Sequence, residues 1–160
     1  MNAIKDKATG KAEALRIATE AHAGQTDRGG RPYIEHPLAV AAMVEGDAAT
    51  VALLHDVVED TTVTLADLRL AGFSDAVTSA VDAITRRKGE QDVAYLARVR
   101  RNPLALAVKL ADLTHNSDIT RIPDPTNRDR KRAALYLFYR DVLLPYGYFW
   151  ERHEGESDVS

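Results

Sequence analysis

The 160-residue chain contains no cysteine. That absence removes disulfides, thiolate metal sites and cysteine nucleophiles together, and it suits a reducing compartment. Basic charge is not in excess either: 21 Lys and Arg stand against 24 Asp and Glu, a net charge of −3. Readers of nucleic acid usually carry a concentrated positive surface, so no nucleic-acid partner is expected. No apolar run approaches the roughly 18 residues of a membrane span. The opening MNAIKDKATGKAEAL lacks the apolar centre of a signal peptide. The expectation is a cytoplasmic protein without a membrane partner. Strand signals are also scarce, with no sustained apolar/polar alternation and no Asn-Gly or Asp-Gly hairpin.

What is present is helical spacing in a chain of one-domain length, 45% apolar and 28% charged. Ala14, Ile17, Ala18 and Ala21 form one stripe and predict a helix over 9–23. Residues 24–33 (GQTDRGGRPY) read as a Gly-rich loop closed by Pro32. Pro37 fits the first turn of a second helix reaching Glu45. Gly46 ends it, and Asp47 caps a third helix that carries LLHDVVED, residues 53–60. Thr64 and Asp67 form a capping box, and Gly72 stops that helix. Ser74 opens another through Thr85, RRKGE (86–90) is a basic turn, and 91–100 is helical. Asn102-Pro103 pairs an N-cap with a proline at the first helical position, beginning NPLALAVKLADLTHNS. IPDPTN is a loop, and a last helix runs from Arg128 to Leu144, ended by Pro145-Tyr146-Gly147. The pattern predicts an all-α bundle of about seven or eight helices, with one domain over 1–150 and a polar tail over 151–160.

LLHDVVED places one imidazole and three carboxylates in eight residues, with no Lys or Arg from Glu45 until Arg69. On a helical wheel of about 100° per residue, Glu59 falls about 40° from His55, Asp56 about 100° and Asp60 about 140°. Val51, Leu53, Leu54, Val57 and Val58 take the other side. A solvated acidic face gives the same wheel. Surface helices, however, usually mix in a base at i+4, and acids late in a helix oppose its dipole. A divalent cation would offset both. Two further segments offer it ligands. Asp112 lies in an apolar helix, with Asn116 one turn on, where a lone carboxylate is costly unless paired with a base such as Lys109 or metal-bound. His36 follows the Gly-rich loop in RPYIEHPLAV.

RPYIEHPLAVA, HDVVEDT and VKLADLTHN, in this order and at these separations, resemble the HD-domain phosphohydrolases. More closely, they are similar to the hydrolase domain of RelA/SpoT proteins and the stand-alone small alarmone hydrolases. The resemblance covers roughly residues 10–120 and implies an HD-domain helical bundle. It further implies that His36, His55, Asp56 and Asp112 ligate one Mn²⁺ per chain. Glu59 and Asp60 then match the pair that positions and deprotonates the attacking water, and Asn116 matches a residue beside the ribose and phosphates. Two imidazoles and two carboxylates without thiolate suit such a borderline-hard ion. The implied activity is hydrolysis of the 3′-pyrophosphate of guanosine alarmones, a small-molecule nucleotide substrate. Cationic candidates for its phosphates are Arg28, Arg31, Lys109, Arg128, Arg130 and Lys131. Tyr33 is expected to pack the loop, and His115 to support helix packing rather than bind metal.

Two positions depart from the pattern. The family loop before Pro-Tyr usually carries Arg-Lys, where this chain has Asp27-Arg28, and Leu113 stands where an Arg is common. The implied metal half is complete, while the half that reads the base is altered. An adenosine alarmone, NADPH, or a nucleotide-binding role without catalysis are the competing expectations.

Overall fold

The computed structural model describes the backbone of residues 2–154 and the side chains of residues 10–146. Nine α-helical segments make up the bundle among these residues: α1 (Asn2–Ala21), α2 (Glu35–Ala41), α3 (Asp47–Leu54), α4 (Val57–Asp60), α5 (Leu65–Leu70), α6 (Asp75–Ile84), α7 (Asp92–Val99), α8 (Pro103–Asn116) and α9 (Asn127–Glu154). A 3-10 turn, Ile119–Arg121, joins the last two. Among the described residues the single β feature is a bridge between Thr26 and Pro32 inside the Gly-rich loop. The all-α expectation holds.

Helix α3 is apolar on every side, and Ala48 to Leu54 are all buried. A short helix of that composition is stable only when enclosed, and α1, α2, α6 and α8 pack around it. Leu53, Leu54, Leu106, Val108 and Leu113 fill the space between them at 1% exposure or less. Leu113, a departure noted above, is therefore a core residue. Several caps form as their residue types dictate. Thr64 and Asp67 bond reciprocally at α5, Ser74 accepts from Val77 at α6, and Asn102 accepts from Ala105 at α8.

Helix α1 begins at Asn2 rather than residue 9 and ends at Ala21 rather than residue 23. Three further boundaries differ from expectation. LLHDVVED is not one helix: α3 ends at Leu54, and Asp56, at φ −104° and ψ −4°, turns the chain before α4. That bend accounts for a ninth segment. Helix α2 begins two residues before Pro37 and ends at Ala41, and the chain then turns through Gly46 at φ 58°. Asp47 is accordingly the first residue of α3 rather than its cap. Helix α9 runs through Pro145. The proline lacks the N–H that would bond the Asp141 carbonyl, but Asp141 is exposed, so water can satisfy that carbonyl. Of the expected tail, 151–154 close α9, and 155–160 lie outside the described residues.

Candidate metal centre

The bend between α3 and α4 delivers His55 and Asp56 to one point. In an unbroken helix their side chains would diverge by about 100°; here His55 Nε2 lies 3.0 Å from Asp56 Oδ2. Helix α2 brings His36, whose Nε2 lies 3.0 Å from Asp112 Oδ1 on α8 and 3.7 Å from Asp56 Oδ2. His55 Nε2 and Asp112 Oδ1 are 3.5 Å apart. His36, His55 and Asp112 thus bring two nitrogens and one oxygen within 4.8 Å of one another, and Asp56, grouped with Glu59 and Asp60, sets its Oδ2 against both imidazoles. His36, His55 and Asp112 are at most 4% exposed.

Both Nε2 atoms are buried without a hydrogen-bond partner. Their carboxylate neighbours are near, but not where an N–H would point. An orphaned buried polar atom is costly, and two facing one centre call for a shared partner. Ligands about 2.1–2.3 Å from one cation and at right angles stand about 3.0–3.3 Å apart, close to the separations found. The donors therefore fit a divalent cation.

The surroundings orient these four side chains. His55 Nδ1 is 2.6 Å from the Ala52 carbonyl. A carbonyl only accepts, so Nδ1 carries the proton there and Nε2 faces the centre. His36 Nδ1 is 2.7 Å from His115 Nδ1. Burial, then the charges of Arg121 and His36, hold His115 down at about 4. A neutral His115 can take the His36 Nδ1–H, the arrangement that leaves His36 Nε2 facing the centre without a proton. Tyr33 donates to Asp56 Oδ2. Asp112 accepts from Lys109 Nζ at 2.8 Å and from Asn116 Nδ2 at 2.7 Å. Such outer partners fix ligand orientation in metal sites generally. Burial opposes ionisation of Asp56, yet the adjacent His55 and His36 bring its carboxyl down to about 2.

Glu59 and Asp60, on α4, form a second acidic group with Asp56. Desolvation, and then the negative charge of Asp56, push both carboxyls above their ordinary values, although the Arg86 N–H bonded to Glu59 acts the other way. From His36 a cleft of about 270 Å³ opens between the Gly-rich loop, the 3-10 turn and α9. Tyr33 and Asn116 line it near the centre, with Arg28, Arg121 and Arg132 further out. Gly29 permits the loop to close on the turn: a Cβ there would stand 2.5 Å from the Arg121 carbonyl oxygen. Asp27 is folded into this junction, accepting from Gly29 N (2.8 Å), Arg31 N (3.0 Å) and Arg121 Nη2 (3.1 Å).

The sequence matches the family described as HD domain over residues 14–138. The chain belongs to the HD-domain family. Among curated proteins, this HD domain is 39% identical over 132 residues to a probable GTP pyrophosphokinase of Mycobacterium leprae, covering 74% of the chain and 17% of the relative. It is 32% identical over 143 residues to the bifunctional (p)ppGpp synthase/hydrolase SpoT of Escherichia coli K12, covering 79% and 20%. The chain thus spans a fifth or less of the length of these relatives. A solved structure described as a metazoan ortholog of SpoT that hydrolyses ppGpp shares the fold. Its TM-score is 0.69 at 24% identity, over 86% of this chain and 84% of that one.

The sequence-nominated cations fare unevenly in the HD domain. Arg28 lines the cleft and pairs with Asp129 at 3.2 Å. Lys109 is engaged by Asp112 and does not line it, which is the base pairing the sequence left open for that carboxylate. Arg130 is exposed and does not line the cleft; two positions on, about 200° around the helix, Arg132 does. Arg31 pairs with Glu35 at 3.5 Å on the surface, and the exposed Arg128 and Lys131 also stand outside the lining. Sequence reasoning missed Arg121 and Arg132, and it gave Tyr33 only a packing role. The available signal for Tyr33 was its place one turn before His36.

Proposed function

We propose that this HD domain hydrolyses the 3′-pyrophosphate of guanosine alarmones: ppGpp and water give GDP and pyrophosphate, and pppGpp gives GTP. The observation that carries the reading is the convergence of two partnerless Nε2 atoms and two carboxylates beside the Glu59–Asp60 pair, at the inner end of an arginine-lined cleft. The SpoT-type names of the relatives support the substrate class. His36, His55, Asp56 and Asp112 would hold one divalent ion, with Mn²⁺ favoured by a donor set lacking thiolate. When bound, the cation supplies Lewis acidity at phosphoryl oxygens and acidifies water. Glu59 takes the proton from the attacking water, helped by a carboxyl raised toward neutral pH. Asp60 adds negative charge that keeps Glu59 basic. Arg28 binds phosphate at the cleft, and Asn116 holds Asp112 while facing the ribose side. Arg130 and Lys109, both outside the lining, leave the phosphate role to Arg28, Arg121 and Arg132.

Asp27 favours a second reading of the base. Its carboxylate is committed to the loop and to Arg121, so Arg121 is the cation next to the position where the family pattern has an Arg. A base other than guanine, in an adenosine alarmone or NADPH, is the alternative substrate. The deciding experiment incubates Mn²⁺-loaded protein with guanosine and adenosine 3′-pyrophosphates, their 3′-monophosphate relatives and NADPH, and analyses the products. Pyrophosphate release from the guanosine compounds is expected. Turnover confined to adenosine compounds or NADPH would replace the guanosine reading with the second, and no turnover of any compound would sink both.

A further inference from the structure

The basic turn after α6 and the helix that follows it line neither the metal centre nor the cleft and meet the site only through the Arg86 N–H and the Lys109 ammonium, yet they are tightly built. A helix ends in carbonyls without intrahelical partners. At the end of α6, one nitrogen of Arg98 (Nη1) donates to the carbonyls of Asp82, Ala83 and Thr85 at 3.0, 2.9 and 3.1 Å. The Tyr95 hydroxyl takes the remaining one, Ile84, at 2.6 Å. Arg98 Nη2 also grips both oxygens of Glu90, and Glu90 in turn accepts the Arg87 N–H at 3.0 Å. Gly89, at φ +75°, supplies the reversal. The Tyr95 ring, 3% exposed, is flanked by the guanidinium groups of Arg86 at 4.6 Å and Arg98 at 5.6 Å.

One amide projects from this mount toward the acidic pair. Arg86 N donates to Glu59 Oε1 at 2.6 Å, across 27 residues of sequence. A distance that short is typical of a bond assisted by charge. Asp60 has no comparable donor on its carboxylate among the described residues. Glu59 sits on a four-residue helix with a long, rotatable side chain, so its aim depends on what holds it.

We infer that the 85–90 turn belongs to the hydrolytic machinery: the Arg86 amide fixes one oxygen of Glu59 so that the other acts on water, and Tyr95, Glu90 and Arg98 are positioning residues that hold that amide. This rests on the assignment of Glu59 as base. It also distinguishes Glu59 from Asp60 by a feature other than acidity.

The test compares Arg86→Pro, which removes the donor, with Arg86→Ala, which removes the guanidinium but keeps the N–H. Thr85 is extended, with ψ 118°, a conformation that proline tolerates in its predecessor. Relative to Arg86→Ala, the proline variant should lose about tenfold or more in kcat, with KM and Mn²⁺ affinity unchanged. Arg98→Met should move kcat in the same direction; if it fails to fold, the Pro/Ala comparison stands alone. A second arm needs no substrate. In ¹⁵N-labelled protein, the Arg86 amide proton should resonate far downfield and move upfield in Glu59→Gln. Equal kcat in Arg86→Pro and Arg86→Ala, or an Arg86 amide indifferent to Glu59→Gln, overturns the inference. Turnover retained in Glu59→Gln itself refutes the base assignment instead, so the two failures are told apart.

Discussion

Replacing Lys109 by methionine removes a buried charge while keeping most of the side-chain volume. Its ammonium is 2.8 Å from Asp112 Oδ2, and the two side chains are 17% and 6% exposed. Burial opposes both charges. Nevertheless Asp112 raises Lys109, and Lys109, with His36 and His55, holds Asp112 well below the usual carboxylate range. The signs place the pair fully charged at neutral pH. The contribution of Asp112 is present above about pH 4 and lost on acidification through its depressed pKa; that of Lys109 is present below about pH 10 and lost only above its raised pKa. Breaking a buried pair costs about 3–5 kcal/mol. Asn116 and the imidazoles remain beside Asp112, so we expect the low end, about 3 kcal/mol. For a chain of this length that lowers Tm by about 6–12 °C. Thermal melts in EDTA measure it directly. In saturating Mn²⁺ the deficit should shrink, because the cation neutralises the stranded carboxylate. A Tm within about 2 °C of the parent in EDTA would refute the reasoning, and Lys109 would return to the list of substrate cations.

Other outcomes follow from the same geometry. Asp56→Ala should abolish metal binding and turnover together; Mn²⁺ retained at full stoichiometry in equilibrium dialysis would contradict the ligand assignment. Tyr33→Phe removes the donor to Asp56 and should weaken Mn²⁺ about 10–100-fold without unfolding; an unchanged dissociation constant would reduce Tyr33 to loop packing. Burial disfavours the charge on His55, but Asp56 and Asp112 raise its pKa well above 6.5, so the metal-free centre holds a proton that a cation must displace. Mn²⁺ affinity should therefore rise with pH by up to about tenfold per unit near neutrality, with close to one proton released. Calorimetry in buffers of different ionisation enthalpy reads that number. The stabilisation from protonated His55 is present below about pH 6.5 and fades as pH rises through the raised value, so the metal-free Tm should fall across that range while the metal-loaded Tm does not.

Much of the fold is local in origin and therefore legible in the chain. The capping box at Thr64–Asp67, the caps Ser74 and Asn102, and the apolar spacing of α6 and α8 act within one turn of helix, where sequence neighbours decide. His36, His55, Asp56 and Asp112 can be nominated as ligands from residue type and order in three motifs, which is as far as the sequence carries them.

Tertiary structure decided the rest, since it depends on contacts between distant segments. The kink at Asp56 is not written in LLHDVVED, whose apolar and polar positions suit one continuous helix. Which arginines face the cleft is set by the rotation of α9 and the docking of the 3-10 turn on Gly29, so Arg132 enters the lining and Arg130 does not. Asp27, a conspicuous departure in the sequence, shapes its own loop through the amides of Gly29 and Arg31, and only the fold adds Arg121, 94 residues later. The Arg86 amide that holds Glu59 is a backbone group, and every residue but proline has one. Its role depends on where the turn is held in space, and not on its side chain.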